Sequence, residues 1–388
     1  MLRLIRETEA GPTVTSSVVL GMVLVGDALL YAILPIHAET FGVSLLWVGV
    51  LLSINRFVRL FLYGSIAHLG AIWGLRRLMV SGAALGAAST LVVAVGSGEP
   101  VLLLARIAWG AAFAALSVSV LAYATYNQSG AAGRVGWSFS IRHMGPLLAL
   151  TGGAWLAGTG GPRVALLVLG AVSLLAVPLA RRLPNPPFTR PTGASGWWPG
   201  RPGRVDAVKF GVALAVDGMF VAMVGLLFQA RMETETAVLA AGLVLAGKHL
   251  GVVVLSPVGG MVAERMGSAR TGFWAILLLA AGMGLLAMDR LFIGIVLVLA
   301  AQPVLLTVLP ILAVEASPKP ALSALASLNA WRDLGAAIGP LVALPLYQWT
   351  GALPLFTSAT LLVLILSFWV SSRRGGTRKN AINPRKTT

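Results

Sequence analysis

Long apolar stretches, each bounded by glycine, proline or charged residues, run along almost the whole chain. Each is close to the roughly 20 apolar residues that an α-helix needs to cross the hydrocarbon core of a bilayer. The pattern predicts an all-α, polytopic membrane protein with twelve transmembrane helices. They are expected at residues 15–37, 45–68, 76–96, 101–123, 136–158, 164–180, 209–230, 237–262, 271–288, 291–314, 322–348 and 352–371.

The composition excludes a soluble protein. Of the 388 residues, 57% are hydrophobic and 11% charged, whereas a soluble domain carries about 25% charged residues. The 45 glycines lie within Leu, Val and Ala runs, where small residues let membrane helices approach closely. The chain has no cysteine, so thiol nucleophiles, disulfides and thiolate metal sites are excluded. No metal site or cofactor is predicted.

The basic residues are distributed unevenly between the two sides of the predicted membrane. Twenty of the 29 Lys and Arg fall on the side of the N-terminus, and only Arg163, Arg231 and Arg290 fall on the other. This positive-inside pattern predicts cytoplasmic termini and a location in the cell membrane, the inner membrane if the protein is bacterial. Without interleaved aromatic residues, these scattered charges do not indicate nucleic-acid binding.

Two polar landmarks repeat at an offset of 190 residues. Asp27 in the first span matches Asp217 in the seventh, and Arg142-His143 in the fifth matches Arg332-Asp333 in the eleventh. A repeat of six spans in the same orientation is typical of transporters built from two related halves. We therefore predict two pseudo-symmetric six-helix bundles at residues 1–182 and 208–372, a cytoplasmic linker at 183–207 and a basic tail at 373–388.

Nine ionisable residues lie deep inside predicted spans. A charge in the bilayer costs several kcal/mol unless it faces protein or water. The nine avoid the third, sixth, ninth and twelfth spans, which predicts a central water-filled cavity with those four helices facing lipid. They are Asp27, Arg56, Arg59, Arg106, Arg142, Asp217, Lys248, Arg332 and Asp333.

Some of these residues are candidates for substrate or proton coupling. Arg56 and Arg59 are three residues apart and share one helix face, where they could bind an anion or pair structurally with a carboxylate such as Asp27. Asp27 is the strongest candidate for a protonatable switch, because burial and arginine neighbours shift a carboxyl pKa in opposite directions. His143 and His249, next to Arg142 and Lys248, are second candidates, and simple packing roles stay open for both.

A loop after the eighth span carries a recognisable motif. It reads Gly260-Met261-Val262-Ala263-Glu264-Arg265-Met266-Gly267, which resembles the Gly-x-x-x-Asp-Arg-x-Gly signature of the major facilitator superfamily, with Glu for Asp. The expected N-terminal copy, from Gly64 to Arg76 and Arg77, is degenerate, with His68 in place of the acid. The stretch from Leu102 through Arg106 to Gly110 is similar to one in proton-coupled exporters of that superfamily, with Trp109 replacing Gln.

Two further stretches resemble the antiporter hinge of the same superfamily. They are Gly145-Pro146 in the fifth span and Gly335 to Gly339-Pro340 in the eleventh. The resemblance implies two bundles that rock about a central site, with helices one, four, seven and ten innermost. It also implies that Glu264 caps or pairs with groups across the cytoplasmic face and stabilises one conformation.

Together these patterns predict a monomeric secondary active transporter that works by alternating access in the lipid bilayer. Proton-coupled efflux of a small molecule is the leading interpretation. The nine deep residues comprise six cations and three acids, and this excess of positive charge in the predicted cavity favours an anionic substrate. A proton-coupled importer and a non-transporting membrane sensor remain alternatives. An enzyme is not predicted, because no Ser/His/Asp set, His-Glu-x-x-His motif or phosphate-binding glycine loop is present.

Overall fold

A computed structural model describes residues 10–34, 37–127, 129–186, 201–318 and 320–371. Every regular element in these ranges is helical, with twelve helical segments, α1 to α12, and a 3₁₀ turn at Glu39–Phe41 between α1 and α2. Segments 1–9, 187–200 and 372–388 lie outside the described residues, so most of the predicted linker and the basic tail are not described.

The first six helices correspond to the predicted N-terminal half. They are α1 Ala10–Ile33, α2 Leu45–Trp73, α3 Leu75–Val95, α4 Glu99–Thr125, α5 with Ala131–Leu148, a π-helical turn Ala149–Gly153 and Ala154–Gly160, and α6 with Pro162–Leu174 and Ala176–Arg181.

The second six have the same order. They are α7 with Arg204–Val212, a π-helical segment Ala213–Phe220 and Val221–Gln229, α8 Thr234–Met266, α9 Ser268–Ala287, α10 Leu291–Ala316, α11 Ala321–Thr350 and α12 Ala352–Ser371. Counting described residues alone, nine of the twelve are long and apolar enough to cross a membrane, and the chain is a multi-pass membrane protein.

The helix ends differ from the predicted spans where one glycine suffices as a connection. Gly74 separates α2 from α3 with a φ of 85°, and Gly267 separates α8 from α9 with a φ of 87°. This left-handed backbone is easily adopted only by glycine. As a result α3 and α9 each begin earlier than their apolar stretches predict.

Each half packs as its own bundle. In the N-terminal half α3 packs against α4 and α6, and α1 against α5; in the C-terminal half α9 packs against α10 and α12, and α7 against α11. The two halves meet mainly through α2 with α11 and α5 with α8. Helices α2 and α5 of the first half are equivalent to α8 and α11 of the second. The α2–α11 contact is therefore equivalent to the α5–α8 contact, as expected for halves related by a rotation.

The outer helices present apolar side chains on their free surfaces. Leu85 of α3, Leu167 of α6, Trp274 of α9 and Leu361 of α12 are 40%, 39%, 60% and 53% exposed. Large exposed apolar surface is stable where lipid replaces water. This exposed apolar surface is present on α3, α6, α9 and α12, the four helices that are predicted to face lipid because they carry no deep charge.

The bundles approach closely on the side of the membrane where α1 begins, which we call the α1-start face. There, a Cβ at Gly136 of α5 would lie 2.4 Å from the carbonyl oxygen of Ser256 in α8, and one at Gly260 would lie 2.6 Å from that of Ala132. Toward the opposite face, Leu148 of α5 and Leu243 of α8 are 64% and 73% exposed. The close approach of α5 and α8 thus lies at the α1-start face.

Candidate functional site

A buried carboxylate joins the two bundles where α2 meets α11. Oδ2 of Asp333 accepts a hydrogen bond of 2.8 Å from the Tyr63 hydroxyl and lies 3.1 Å from Nε of Arg59. Oδ1 accepts two from Arg332, at 3.0 Å from Nε and 2.8 Å from Nη2. Arg59, Tyr63, Arg332 and Asp333 form what we call the Asp333 network, in which one carboxylate faces two guanidinium groups.

Helical spacing explains how α2 contributes to this network. Arg56, Arg59 and Tyr63 recur at intervals of three and four residues and so share a face of the helix. Arg56 Nη1 also donates to the carbonyl oxygen of Ala336 in α11, at 3.4 Å. The carboxylate that pairs with Arg59 of α2 is thus Asp333 of the other bundle. Asp27, which the sequence offered as one alternative, does not pair with it in this structure.

An aromatic ring of α4 lies beside both guanidinium groups of the network. The guanidinium carbon of Arg59 is 4.3 Å from the centre of the Phe113 ring, and that of Arg332 is 5.8 Å away. Cation–π attraction stabilises two like charges that share one acid. Neither Tyr63 nor Phe113 carries a charge, so the pattern of deep charges in the sequence gives no signal for them.

A second acid lies in the C-terminal bundle. Asp217 belongs to the π-helical segment of α7 and accepts hydrogen bonds from Lys248 of α8, at 2.7 Å, and from Gln302 of α10, at 2.8 Å. The side chains of Asp217 and Lys248 remain 24% and 19% exposed. Since π-helical turns often occur at functional sites, this accessible pair is a candidate for proton or substrate exchange.

The corresponding acid of the N-terminal bundle lies in a different environment. Asp27 of α1 pairs with Arg106 of α4 at 2.6 Å, and Arg106 Nε donates to the carbonyl oxygen of Leu51 at 2.9 Å. Helices α1, α3, α4 and α6 enclose the pair around a pocket with room for about one water. Asp27 and Arg106 therefore lie inside one bundle and outside the Asp333 network.

The cation Arg142 of α5 is deeply buried. It is 5% exposed, its guanidinium carbon is 3.5 Å from the centre of the Phe139 ring, and within the described residues Nε has no hydrogen-bond partner. Arg142 is thus a buried cation of the N-terminal bundle whose guanidinium group contacts an aromatic ring.

Two histidines meet across the bundle interface next to Arg142. The rings of His143 in α5 and His249 in α8 have centres 5.8 Å apart. His143 Nδ1 lies 2.8 Å from the carbonyl oxygen of Phe139. Nearby, the Ser140 hydroxyl donates to the carbonyl oxygen of Val253 at 2.6 Å. The two predicted histidines are thus brought together, one from each bundle.

Lys209 is a further buried cation, and the seventh helix begins earlier than predicted. The span was expected to start at Lys209, whereas α7 begins at Arg204 and Lys209 is only 3% exposed. Asp206 caps the amide of Gly203, and this N-terminal capping pattern is the sequence signal that could have moved the helix start.

The motif predicted as a loop after the eighth span forms the last turns of α8, and its Glu264 contacts the other bundle. Its Oε1 accepts a hydrogen bond of 2.9 Å from the amide of Gly133 in the first turn of α5, where amides lack helical partners. Arg265 and Gly267 are exposed. In the degenerate N-terminal copy Arg76 and Arg77 are exposed, and the Arg76 amide donates to Asn185 Oδ1 at 3.4 Å.

The hinge-like glycines are points of close packing inside each bundle. A Cβ at Gly145 would lie 2.0 Å from the carbonyl oxygen of Gly21, and one at Gly335 would lie 2.4 Å from that of Phe210. Gly339 likewise faces Gly218. Pro146 precedes the π-helical turn of α5, whereas Pro340 lies within the continuous helix α11.

Comparison with known proteins gives structural matches only. No family model matches the chain, and no curated protein does. The solved structure of the human organic anion transporter MFSD10 (TETRAN) superposes with a TM-score of 0.77 over 94% of this chain and 100% of that one, at 18% identity. The chain has the major facilitator fold.

Two other structures with this fold give similar values. The E. coli fucose:proton symporter FucP has a TM-score of 0.70 at 14% identity, covering 94% of this chain and all of its own. A bacterial homologue of the iron transporter ferroportin, in an outward-facing state, has 0.66 at 15%, covering 93% and 100%. The predicted fold class of two six-helix bundles in the major facilitator arrangement is confirmed.

In this major facilitator fold, Glu264 is expected to stabilise closure of the α1-start face. Replacing it by Ala removes a hydrogen bond worth about 0.5–1.5 kcal/mol, which raises the open population roughly two- to tenfold. Because the chain lacks cysteine, a single Ser140→Cys, at a buried position of α5 whose hydroxyl contacts the carbonyl oxygen of Val253 in α8, reports opening through its rate of maleimide labelling. Arg265→Ala is the matched control, and equal rates in both variants would contradict the role of Glu264.

Proposed function

We propose that the protein is a secondary active transporter that moves a small molecule across the membrane by alternating access. The observation that carries this proposal is the Asp333 network, which joins the two bundles through charges of both halves. Buried ion pairs add little net stability compared with apolar packing. An interface held by charge can therefore separate and re-form, as alternating access requires.

Under this proposal, the contacts between the two bundles indicate which conformation of the transport cycle the structure represents. The α5–α8 approach and the Glu264 contact lie at the α1-start face, which the positive-inside pattern assigns to the cytoplasm. The structure then corresponds to a conformation closed toward the cytoplasm. Opening of that face requires breaking the bond between Glu264 and Gly133 and separating Arg59 from Asp333.

An anionic substrate is supported by the charges around the bundle interface. Arg56, Lys248 and Arg332 keep accessible surface there, and the interface holds more cations than acids. The similar structures are named for an organic anion transporter, a fucose symporter and an iron transporter homologue. The charge of this chain's own residues, and not those names, supports the substrate class.

Proton-coupled efflux remains the proposed mode of transport. Asp27 and Asp217 are the candidate proton carriers, since each lies deep in a bundle and pairs with one cation. Loss of that cation's contact would favour protonation of the carboxylate. A proton-coupled importer would use the same groups, and FucP, one of the structures with this fold, is named as a symporter.

Proton flux in proteoliposomes tests the proposed function. We expect an outward or inward gradient of a substrate anion to change the internal pH, reported by a trapped pH-sensitive dye. Arg56→Gln with Arg59→Gln should reduce this flux at least tenfold, and Asp27→Asn should uncouple substrate from protons. Arg270→Gln, which removes an exposed charge, is the control. Flux without coupling in the wild type would contradict proton-driven transport.

A further inference from the structure

Helices α5 and α8 contact each other in one antiparallel register, from the α1-start face to the middle of both helices. The pairs along it, in that order, are Ala132 with Gly260, Gly136 with Ser256, Ser140 with Val253 and His143 with His249. Gly242 precedes His249 by seven residues and so lies on the same side of α8. Among the described residues, nothing lies within 4 Å of a Cβ at Gly242. The two helices therefore begin to separate beyond the histidine pair.

Both imidazoles of this pair can take up a proton. They are partly exposed, and their ring centres are 5.8 Å apart. His143 Nδ1 lies 2.8 Å from the carbonyl oxygen of Phe139. Because a carbonyl oxygen only accepts hydrogen bonds, the neutral ring carries its hydrogen on Nδ1, and Nε2 keeps the lone pair that binds a proton. Histidine is the side chain that ordinarily changes charge between pH 5 and 8.

The repeat gives the histidine pair an equivalent at the other interface. Asp333 follows His143 by 190 residues, and His249 follows Arg59 by the same 190. The contact of the two histidines is thus equivalent to the α2–α11 contact, in which Arg59 Nε lies 3.1 Å from Asp333 Oδ2. One interface holds opposite charges, which attract. The other holds two groups of the same kind, whose charge depends on pH.

The charged groups around the pair are cations, or acids that are bonded elsewhere. Arg142 and Lys248 precede the two histidines in the chain, and Lys248 pairs with Asp217 of α7 at 2.7 Å. Within the described residues neither imidazole pairs with a carboxylate. The helices packed against α5 and α8 add Asp27 of α1, bonded to Arg106 of α4, and Asp206, bonded to Ser327, and Lys209 near the start of α7. Two protons on the closed pair would therefore lack a counter-ion and repel each other.

We propose that protonation of His143 and His249 opens the α1-start face and that their deprotonation closes it. This inference rests on the proposed transport function. It adds a site that acts on the contact between the bundles, whereas Asp27 and Asp217 each pair within one bundle. Since protonated rings repel across the interface, protons bind more strongly to the separated helices, and proton uptake shifts the population toward the open state. Because α5 and α8 separate toward the opposite face, the protons reach the pair from that side.

The pH dependence of cysteine labelling tests this role. Maleimide labelling of purified Ser140→Cys is measured from about pH 5 to pH 8. Each rate is divided by that of Ser129→Cys, an exposed site that reports the intrinsic reactivity of the thiol at the same pH. We expect this ratio to rise at least about tenfold between pH 7 and pH 5, since each proton taken up changes such an equilibrium by up to about tenfold per pH unit.

Two sets of variants separate the pair from other titrating groups. His143→Gln with His249→Gln should make the ratio independent of pH. His37→Gln, in the connection between α1 and α2, should keep the wild-type profile. A ratio that stays constant with pH in the wild type would overturn the inference, and so would a wild-type profile in the double variant.

Exchanging the pair for the charges of the other interface gives a second test. His143→Asp with His249→Arg reproduces the Asp333–Arg59 contact at the equivalent position, with Arg142 before the acid as Arg332 is before Asp333. The attraction should hold α5 against α8, so at pH 5 the ratio should fall at least about tenfold below that of the wild type. Tm at pH 5 shows that the variant is folded. Labelling of the folded variant as fast as that of the wild type would contradict the role of the pair.

Flux measurements distinguish failure of this inference from failure of the proposed function. If the labelling ratio does not respond to pH while proteoliposomes show substrate flux driven by a proton gradient, the inference fails and the transport function stands. If labelling responds as expected and proteoliposomes show no flux of any anion, the transport function alone is contradicted.

Discussion

Asp333→Asn is expected to abolish transport and to destabilise the folded protein strongly. The substitution leaves Arg59 and Arg332 next to each other without the carboxylate that both contact. Removing one partner of a buried ion pair costs about 3–5 kcal/mol. Tm, followed by the fluorescence of the 11 tryptophans, and flux in proteoliposomes measure the two effects.

An exposed acid provides the matched control for this substitution. Asp289 pairs with Arg231, but its side chain is 77% exposed, and such surface pairs contribute about 1 kcal/mol or less. Asp289→Asn should therefore change Tm little. Adding Arg332→Gln to Asp333→Asn should recover part of the lost stability, since it removes one unpaired charge. Equal effects of the two Asp→Asn variants would show that the Asp333 network does not hold the bundles together.

Much of the fold could be predicted from the sequence because a membrane helix has a simple pattern. Apolar length determines the spans, and the match of Asp27 with Asp217 indicates two halves. Spans without deep charge, such as α3 and α9, carry exposed apolar side chains, and so do spans with deep charge such as α8. The helix ends were less predictable, because a single glycine such as Gly74 can separate two helices.

The partners of the deep charges could not be predicted, because pairing depends on how helices rotate and which bundles meet. Tyr63 and Asp333 are 270 residues apart in the chain, and no local pattern relates them. The repeat preserves the acids at Asp27 and Asp217 and one partner helix, α4 and its equivalent α10, but the partner changes from Arg106 to Gln302 and α8 adds Lys248. Uncharged partners such as Tyr63 and Gln302 give no signal in a search for charges.

The same limit applies to the glycines of the hinge-like motifs. The sequence identifies Gly145 and Gly339, and the resemblance to antiporters implies bending at these positions. In the structure each one lies against the backbone of a neighbouring helix, Gly21 for Gly145 and Gly218 for Gly339. A motif in one helix cannot reveal the small residue that faces it in another helix.

Gly145→Ala is expected to separate α1 from α5 and to lower the stability of the N-terminal bundle. The added Cβ would lie 2.0 Å from the carbonyl oxygen of Gly21 and 2.7 Å from its carbonyl carbon. Backbone atoms cannot move aside as a flexible side chain can, so we expect a loss of about 3 kcal/mol or more, at the upper end for overpacked sites. Tm and the folded yield after extraction measure it.

Gly158→Ala on the same helix is the matched control, because nothing lies within 4 Å of the position of its Cβ. It should leave Tm unchanged or slightly raised, since Ala favours the helix over Gly by about 1 kcal/mol. The pair of variants also separates packing from bending. If Gly145 acts as a hinge only, Gly145→Ala will retain its Tm and lose transport rate; if it acts through the contact with Gly21, stability and transport will fall together.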